Sequence, residues 1–198
     1  MKKATNRDIQ AAASKKLFLE TASRLTSEIG FENVTVQAIC KAAGMSVGAF
    51  YHHFNSKEEI ILAWYGLSDE YFELEVIPRL LQMDADVSDK AAEFAREQIG
   101  FGKKYGKEYI KQLYRAQISY NNTEFFSSER SLVKGLISLI DEGQKKGVLQ
   151  NDASASQIAG EILILIRGVI LNWLWNGTDD PQEDAAGMVK QYLKAYHT

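Results

Sequence analysis

A chain of 198 residues, 45% hydrophobic and 25% charged, has room for one sizeable core or two small ones, which excludes a disordered or fibrous protein. Its single cysteine excludes an internal disulfide and points to a reducing, cytoplasmic setting; the opening MKKATNRDIQ has no apolar run behind its basic residues, which excludes a signal peptide. The net charge of −3 is unevenly shared: residues 1–57 hold 8 Lys/Arg against 4 Asp/Glu, residues 58–198 hold 15 against 22, and a basic end suits a polyanionic partner.

Residues 1–10 read as a loose basic arm. The first helix is predicted from about Ala11 to Ile29. Leu17, Thr21, Leu25 and Ile29 fall four apart, with Phe18 and Ala22 beside them, and Gly30 supplies the stop. Thr35 is the N-cap of a short second helix, Val36 to about Ala43, which Gly44 breaks. Ser46 caps a third, Val47 to about His53. "SKEE", Ser56 to Glu59, reads as a capping box for a helix carrying Ile60, Trp64, Leu67, Tyr71 and Leu74, predicted to end before Pro78.

Further helices are predicted near Asp89–Phe101, Lys107–Tyr120 and Glu124–Lys146, the last stopping at Gly147. "SASQ", Ser154 to Gln157, is a second capping box and opens a long helix to about Trp175. Its run IAGEILILIRGVILNWLW holds Glu161, Arg167 and Asn172, which a membrane span tolerates poorly, so it reads as a buried helix. Pro181 fits the first turn of a last helix to about Tyr196. There is no useful β-alternation and no repeat. The expected fold is all-α, with about nine helices.

Two short helices joined through Gly44 make a helix-turn-helix pattern. Ile39, Phe50 and Phe54 are placed to face inward, and Gly44 can take the left-handed conformation of a tight turn. The third helix then offers Val47, Gly48, Ala49, Tyr51 and His52 on its outer side, after Ser46. The first three are small enough for close approach to bases, Tyr51 and His52 hydrogen-bond, and Lys57 adds charge. His52 and His53 do not form a metal site, because neighbouring helical positions point about 100° apart and no ligand stands at the right spacing. No metal or cofactor is expected. His53 and Cys40 read as packing residues.

The segment TVQAICKAAGMSVGAFYHHFNSKEEI resembles the DNA-binding segment of the tetracycline-repressor (TetR) family of bacterial transcription regulators. The spacing of Ile39, Ala43-Gly44, Gly48, Tyr51, His53-Phe54 and Lys57 carries the resemblance, which covers residues 11–62, with GFENVTV linking the first two helices. Cys40 stands where alanine is more usual, and Met45 where valine is. After residue 78 the resemblance is architectural. It implies a DNA-binding domain at 1–57, including the arm, and a helical ligand-binding and dimerisation domain at 58–198. It further implies that the third helix enters the major groove, that Tyr51 and Lys57 grip phosphates, and that Thr35, Val36 and Gln37 offer backbone N–H groups to another phosphate.

The body is rich in aromatics, among them Phe94, Phe101, Tyr105, Tyr109, Tyr114, Tyr120, Phe125, Phe126, Trp173 and Trp175, most of them core. Several sit near Gln98, Arg115 and Gln117, and a largely apolar cavity with a few polar groups is how small-molecule sites are built. With Trp64 and Tyr71 from the helix opened by Ser56, and with Arg167, these make the candidate ligand lining: Trp64, Tyr71, Phe94, Gln98, Phe101, Arg115, Gln117 and Arg167. Arg167 either anchors an acidic ligand or pairs with a carboxylate at a helix or subunit interface. GFGKKYG, residues 100–106, reads as a helix junction and not a phosphate loop, having no preceding strand.

The expected function is a dimeric repressor on a pseudo-palindromic double-stranded operator, joined through the last two helices and released by a small, mainly apolar effector. A regulator controlled by a protein partner is the alternative, and a small helical enzyme a weak third, since no nucleophile–base arrangement stands out. No membrane partner is expected.

Overall fold

The computed structural model describes residues 5–120, 127–177 and 179–198. In chain order the α-helices are α1 (Asn6–Ile29), α2 (Val36–Ala43), α3 (Val47–His53), α4 (Lys57–Leu62), α5 (Trp64–Tyr71), α6 (Ile77–Gln82), α7 (Val87–Tyr105), α8 (Lys107–Tyr120), α9 (Ser131–Lys145), α10 (Ala155–Asn176) and α11 (Pro181–Leu193). Short 3-10 turns follow α1 (Phe31–Asn33) and α11 (Lys194–Tyr196), and a π-helical segment, Phe72–Val76, joins α5 to α6. Among the described residues there is no strand beyond a single bridge, Leu149 to His197. The expected all-α class holds. Two compact units divide the chain: residues up to 67 with 104–120, and residues 68–103 with 127–198.

In the first unit, α1 begins five residues earlier than predicted. Thr5 Oγ1 accepts from the Asp8 N–H, and Asp8 Oδ2 accepts from the Thr5 N–H, a capping box that "TNRD" encodes. The Thr5 hydroxyl donates to the same carboxylate oxygen, and this bond first and the one from the Thr5 N–H second hold the Asp8 carboxyl below its usual range. The loose arm is therefore not found over residues 5–10; Met1 to Ala4 lie outside the described residues. The buried face of α1 also differs. Phe18, Leu19, Thr21, Ala22, Ser23 and Thr26 face in, whereas Leu17 and Ile29 are exposed. The four-residue row is real but runs through Phe18, Ala22 and Thr26, one position on.

α8 packs on α1 and α4 within this unit. The junction before it turns at Gly106, whose φ of 89° favours glycine. A Cβ there would also stand 2.6 Å from Ser27 Oγ. The Ser23 and Ser27 hydroxyls donate to the Tyr105 carbonyl, at 3.1 and 3.2 Å, satisfying a terminal acceptor of α7.

The helix opened by Ser56 does not stop before Pro78. It breaks at Ala63, resumes as α5, widens through the π segment and continues as α6 with Pro78 in its first turn. Proline lacks an N–H and its ring collides with the carbonyl four residues back; the wider π turn relieves that clash. The same turn resets the inward row. Phe72, Val76 and Leu80 are fully buried, and Leu74 is 66% exposed, against expectation.

In the second unit, α10 packs between α9 and α11. The predicted start of α9 at Glu124, with Phe125 and Phe126, lies outside the described residues; the described helix begins at Ser131. Arg130 fixes that start by donating to both carboxylate oxygens of Asp69, at 3.0 and 3.2 Å, while the Leu132 N–H donates to the same group. Ile158, Ile162, Ile166 and Val169 of α10 join Leu136, Leu139, Ile140, Val189 and Leu193 in the core. α10 is long and apolar enough to cross a membrane by length and composition, and its inward face is that of a core helix. Its outward face exposes Ile164 (63%) and Trp175 (77%).

Candidate nucleic-acid interface

Caps set the positions of α2 and α3. Thr35 Oγ1 accepts from the Ala38 N–H at 3.1 Å and starts α2; Ser46 Oγ accepts from the Ala49 N–H at 3.1 Å and starts α3. Between them Gly44 sits in the left-handed region, φ 67° and ψ 29°, and the Met45 N–H returns to the Cys40 carbonyl at 2.9 Å. Both boundaries agree with those read from sequence.

Ile39 and Cys40 turn α2 inward; burial pushes the Cys40 thiol up, which keeps it protonated. Phe50 and Phe54 turn α3 inward, and both rings meet Phe18 edge-on, at centroid distances of 5.4 and 6.3 Å. His53 lies at the margin of this cluster. Its Nε2 is 2.7 Å from Ser14 Oγ and its ring meets the Phe18 ring at 6.2 Å. Burial, followed by the nearby charges of His52 and Lys15, lowers its pKa. With the aromatic side fixed inward, Val47, Gly48, Tyr51 and His52 are exposed on the other side, and Ala49 is half-buried. Thr35 and Gln37 are exposed at the start of α2, with Val36 half-buried, and Ser46 is exposed before α3. The first-turn N–H groups of α2 have no acceptor within their own helix, apart from the one that Thr35 caps, so an anion can be held there.

Lys57 has a role that the sequence did not show. Its Nζ donates to the carbonyls of Phe31 and Val34, at 3.2 and 3.1 Å, and lies 4.5 Å from the Phe31 ring centroid. It thus ties the turn ahead of α2 to the start of α4. An ammonium has three donors, so one remains for a phosphate. The capping box at Ser56 is also modified: Ser56 Oγ accepts from the Glu59 N–H, but the Glu59 carboxylate accepts from the backbone and side chain of Asn55.

The candidate ligand residues divide between the two units. Trp64, Arg115 and Gln117 belong to the first; Tyr71, Phe94, Gln98, Phe101 and Arg167 belong to the second. Trp64 packs edge-on against Tyr105 at 5.9 Å. Gln117 Nε2 is buried and lacks a hydrogen-bond partner among the described residues. Arg115 is exposed and faces Glu32 at 4.0 Å. Phe94 is wholly enclosed against Phe72 in the core. Tyr71 stacks on Phe101 at 5.0 Å, and its hydroxyl donates to Glu97 at 2.7 Å, while burial first and this bond second push its pKa up to about 12. Gln98 Oε1 is buried without a hydrogen-bond partner among the described residues. Arg167 is half-buried on α10. A cleft of about 410 Å³ opens in the first unit, between Phe31 and Glu32 of the 3-10 turn, Glu58 and Ile61 of α4, and Arg115 of α8. Among the described residues no group of three or more His, Cys, Asp or Glu could hold a metal.

The sequence profile of the bacterial regulatory proteins of the tetR family matches residues 18–64, which carry α2, the turn, α3 and α4. The transcriptional regulator UidR of Escherichia coli K12 is 40% identical over 58 residues, covering 29% of this chain and 30% of its own length. The transcriptional repressor AcnR of Corynebacterium efficiens is 44% identical over 50 residues, covering 25% and 27%. The chain thus matches about three tenths of the length of these relatives. Over nearly its whole length it shares the fold of a TetR transcription regulator from Haloarcula marismortui, with a TM-score of 0.74 and 18% identity over 94% of this chain and all of the other. It also shares the fold of the Thermus thermophilus repressor FadR, solved with lauroyl-CoA, with a TM-score of 0.67 and 20% identity over 91% of each chain. The helices whose caps and aromatic wedge hold α3 outward thus carry a sequence similar to the DNA-binding segment of the tetR family of bacterial regulatory proteins, and the chain as a whole shares the fold of solved TetR regulators.

Proposed function

We propose that the chain is a DNA-binding transcriptional repressor that acts as a cytoplasmic homodimer and leaves its operator when a small, mainly apolar molecule binds its helical body. One observation carries this reading: Phe50 and Phe54 lock α3 so that Val47, Gly48, Tyr51 and His52 face solvent, behind a basic first 57 residues. In this reading residues 1–57 engage DNA and residues 58–198 form the regulatory body. Val47, Gly48 and Ala49 approach base edges, and His52 hydrogen-bonds. Tyr51, Lys57 and the N–H groups at Thr35 to Gln37 hold phosphates, with Ser46 placing the start of α3. Two α3 helices of a dimer would lie about 34–36 Å apart, one turn of DNA.

The effector reading rests on the second unit. Tyr71 and Phe101 form an aromatic face, and Gln98 Oε1 is a buried acceptor that a ligand donor would satisfy. Arg167 of the same unit supplies positive charge if the ligand is acidic. The acyl-CoA complex of a protein with this fold supports a small-molecule effector of apolar character.

Selection of genomic fragments by the purified protein at moderate salt tests the repressor reading. One enriched pseudo-palindrome is expected; no preference among fragments would overturn it. A thermal-shift screen of apolar metabolites, followed by operator release, tests the effector. Stabilising compounds that all leave operator affinity unchanged would place the regulation elsewhere.

A further inference from the structure

The cleft of the first unit has a chemistry of its own. Its floor is apolar, from Ile61 and Phe31, both buried. Its rim carries both signs. Arg115 and Glu32 face each other at 4.0 Å, with side chains 69% and 79% exposed, so their attraction is screened and easily opened. Glu58 adds a second carboxylate, with no cation at ion-pair distance among the described residues. At about 410 Å³ the space lies in the range of small-molecule sites.

We infer that this cleft is a second ligand site, for a free α-amino acid with an apolar side chain, and that filling it tightens DNA binding. An α-amino acid carries an ammonium and a carboxylate on one carbon. That pair complements the adjacent Glu32 and Arg115 head to tail, and Glu58 gives the ammonium a further partner. The apolar side chain then covers Phe31 and Ile61. Two carboxylates against one guanidinium make the ligand's cation indispensable, so a simple carboxylic acid is disfavoured.

The place of the cleft gives it a consequence. Phe31 in its floor is the residue whose ring and carbonyl hold the Lys57 ammonium. A ligand bridging Phe31 and Glu32 to Glu58 and Ile61 reinforces the tie between the turn ahead of α2 and the start of α4. That restricts the N-terminus of α2, a phosphate-binding end, in its DNA-competent position. This site differs from the effector site of the body in its unit, its charge and the direction of its effect.

Calorimetry and backbone-amide NMR on the full chain, with L-phenylalanine and L-leucine as probes, test the site. Millimolar or tighter binding is expected, with shifts concentrated at residues 31–33, 58–61 and 112–119. Arg115→Gln and Glu58→Gln should each weaken binding about tenfold, a loss of about 1.4 kcal/mol. Phenethylamine and 3-phenylpropionate, each lacking one charge, should bind more weakly than L-phenylalanine. Operator affinity should rise about fivefold with L-phenylalanine present. No shift at saturating millimolar probe, or shifts unchanged in both variants, would overturn the site; an unchanged or weakened operator affinity would overturn its coupling. Failure to bind any operator with or without amino acid would count against the repressor reading and leave the calorimetric result to stand by itself.

Discussion

Lys57 uses one ammonium for two tasks: it holds the turn ahead of α2, and in the proposed complex it meets a phosphate. Replacing it separates these. Lys57→Ala removes two hydrogen bonds to carbonyls and a cation–π contact, at a cost of about 1–3 kcal/mol, which lowers Tm by about 2–4 °C per kcal/mol in a chain of this size. It should also lower the salt slope of operator binding by about one unit. A variant with unchanged Tm would show that the anchor contributes nothing. His53 makes a second prediction at this scale. Its folded pKa is lowered from 6.5, so the neutral ring belongs to the folded state. The stability tied to it is fully present above pH 6.5 and is lost as pH falls through the folded pKa. Thermal melts from pH 7 to 5 should show that loss, and His53→Gln should flatten it; an equal slope in both proteins would refute the assignment. These residues also show what the sequence could reveal. Thr35, Gly44 and Ser46 were legible because a cap acts within three residues of itself. The tie from Lys57 to Phe31 spans 26 positions and leaves no local pattern.

At the scale of the element, the boundaries of α2, α3 and α8 were legible because each is framed by a cap, a glycine or both. The start of α1 was encoded just as locally in "TNRD", yet the basic residues around it resembled an arm. The passage from α5 to α6 was not legible, for a different reason. A π segment inserts a wider turn, so rows counted at 3.6 residues drift off the true face after it. Counting from Trp64 and Tyr71 leads to Leu74, whereas the protein buries Phe72, Val76 and Leu80. The register can be tested by stability in urea. Phe72→Ala should cost about 3–5 kcal/mol, as for any large aromatic removed from a core. Leu74→Ser should change stability by less than about 0.5 kcal/mol, because its side chain already meets water. The reverse ranking would restore an unbroken α-helical register and remove the reason given for Pro78.

For the whole molecule, the outer faces of α10 and α11 pose the question of a partner. Ile164 is 63% exposed, Trp175 77% and Met188 47%, more apolar surface than a lone helix pair needs. Gly160 and Gly168 flank Ile164 at four-residue spacing, and Gly187 lies beside Met188. A Cβ added at any of the three would meet nothing within 4 Å. A glycine inside an exposed helix costs about 1 kcal/mol relative to alanine, so in an isolated chain these positions lose stability without return. A second copy, as in the proposed homodimer, would resolve this: the glycines would let its backbone come close, while Ile164, Met188 and Trp175 would pack across the two-fold axis. The two readings predict opposite signs for Gly168→Ala. If the face meets only water, the substitution adds helix propensity, raises Tm and leaves the oligomeric state alone. If the face is the dimer interface, the added methyl separates the helices. The dimer then dissociates at higher protein concentration and operator binding weakens with it, because a single α3 cannot span both half-sites. Ile164→Arg should do the same more severely while leaving the fold intact, since the side chain already points outward. Sedimentation across micromolar concentrations, read beside operator titration, decides between them: dissociation that tracks lost operator affinity is the expected result, and a monomeric native protein, or a stabilised Gly168→Ala that still dimerises, would overturn the interface.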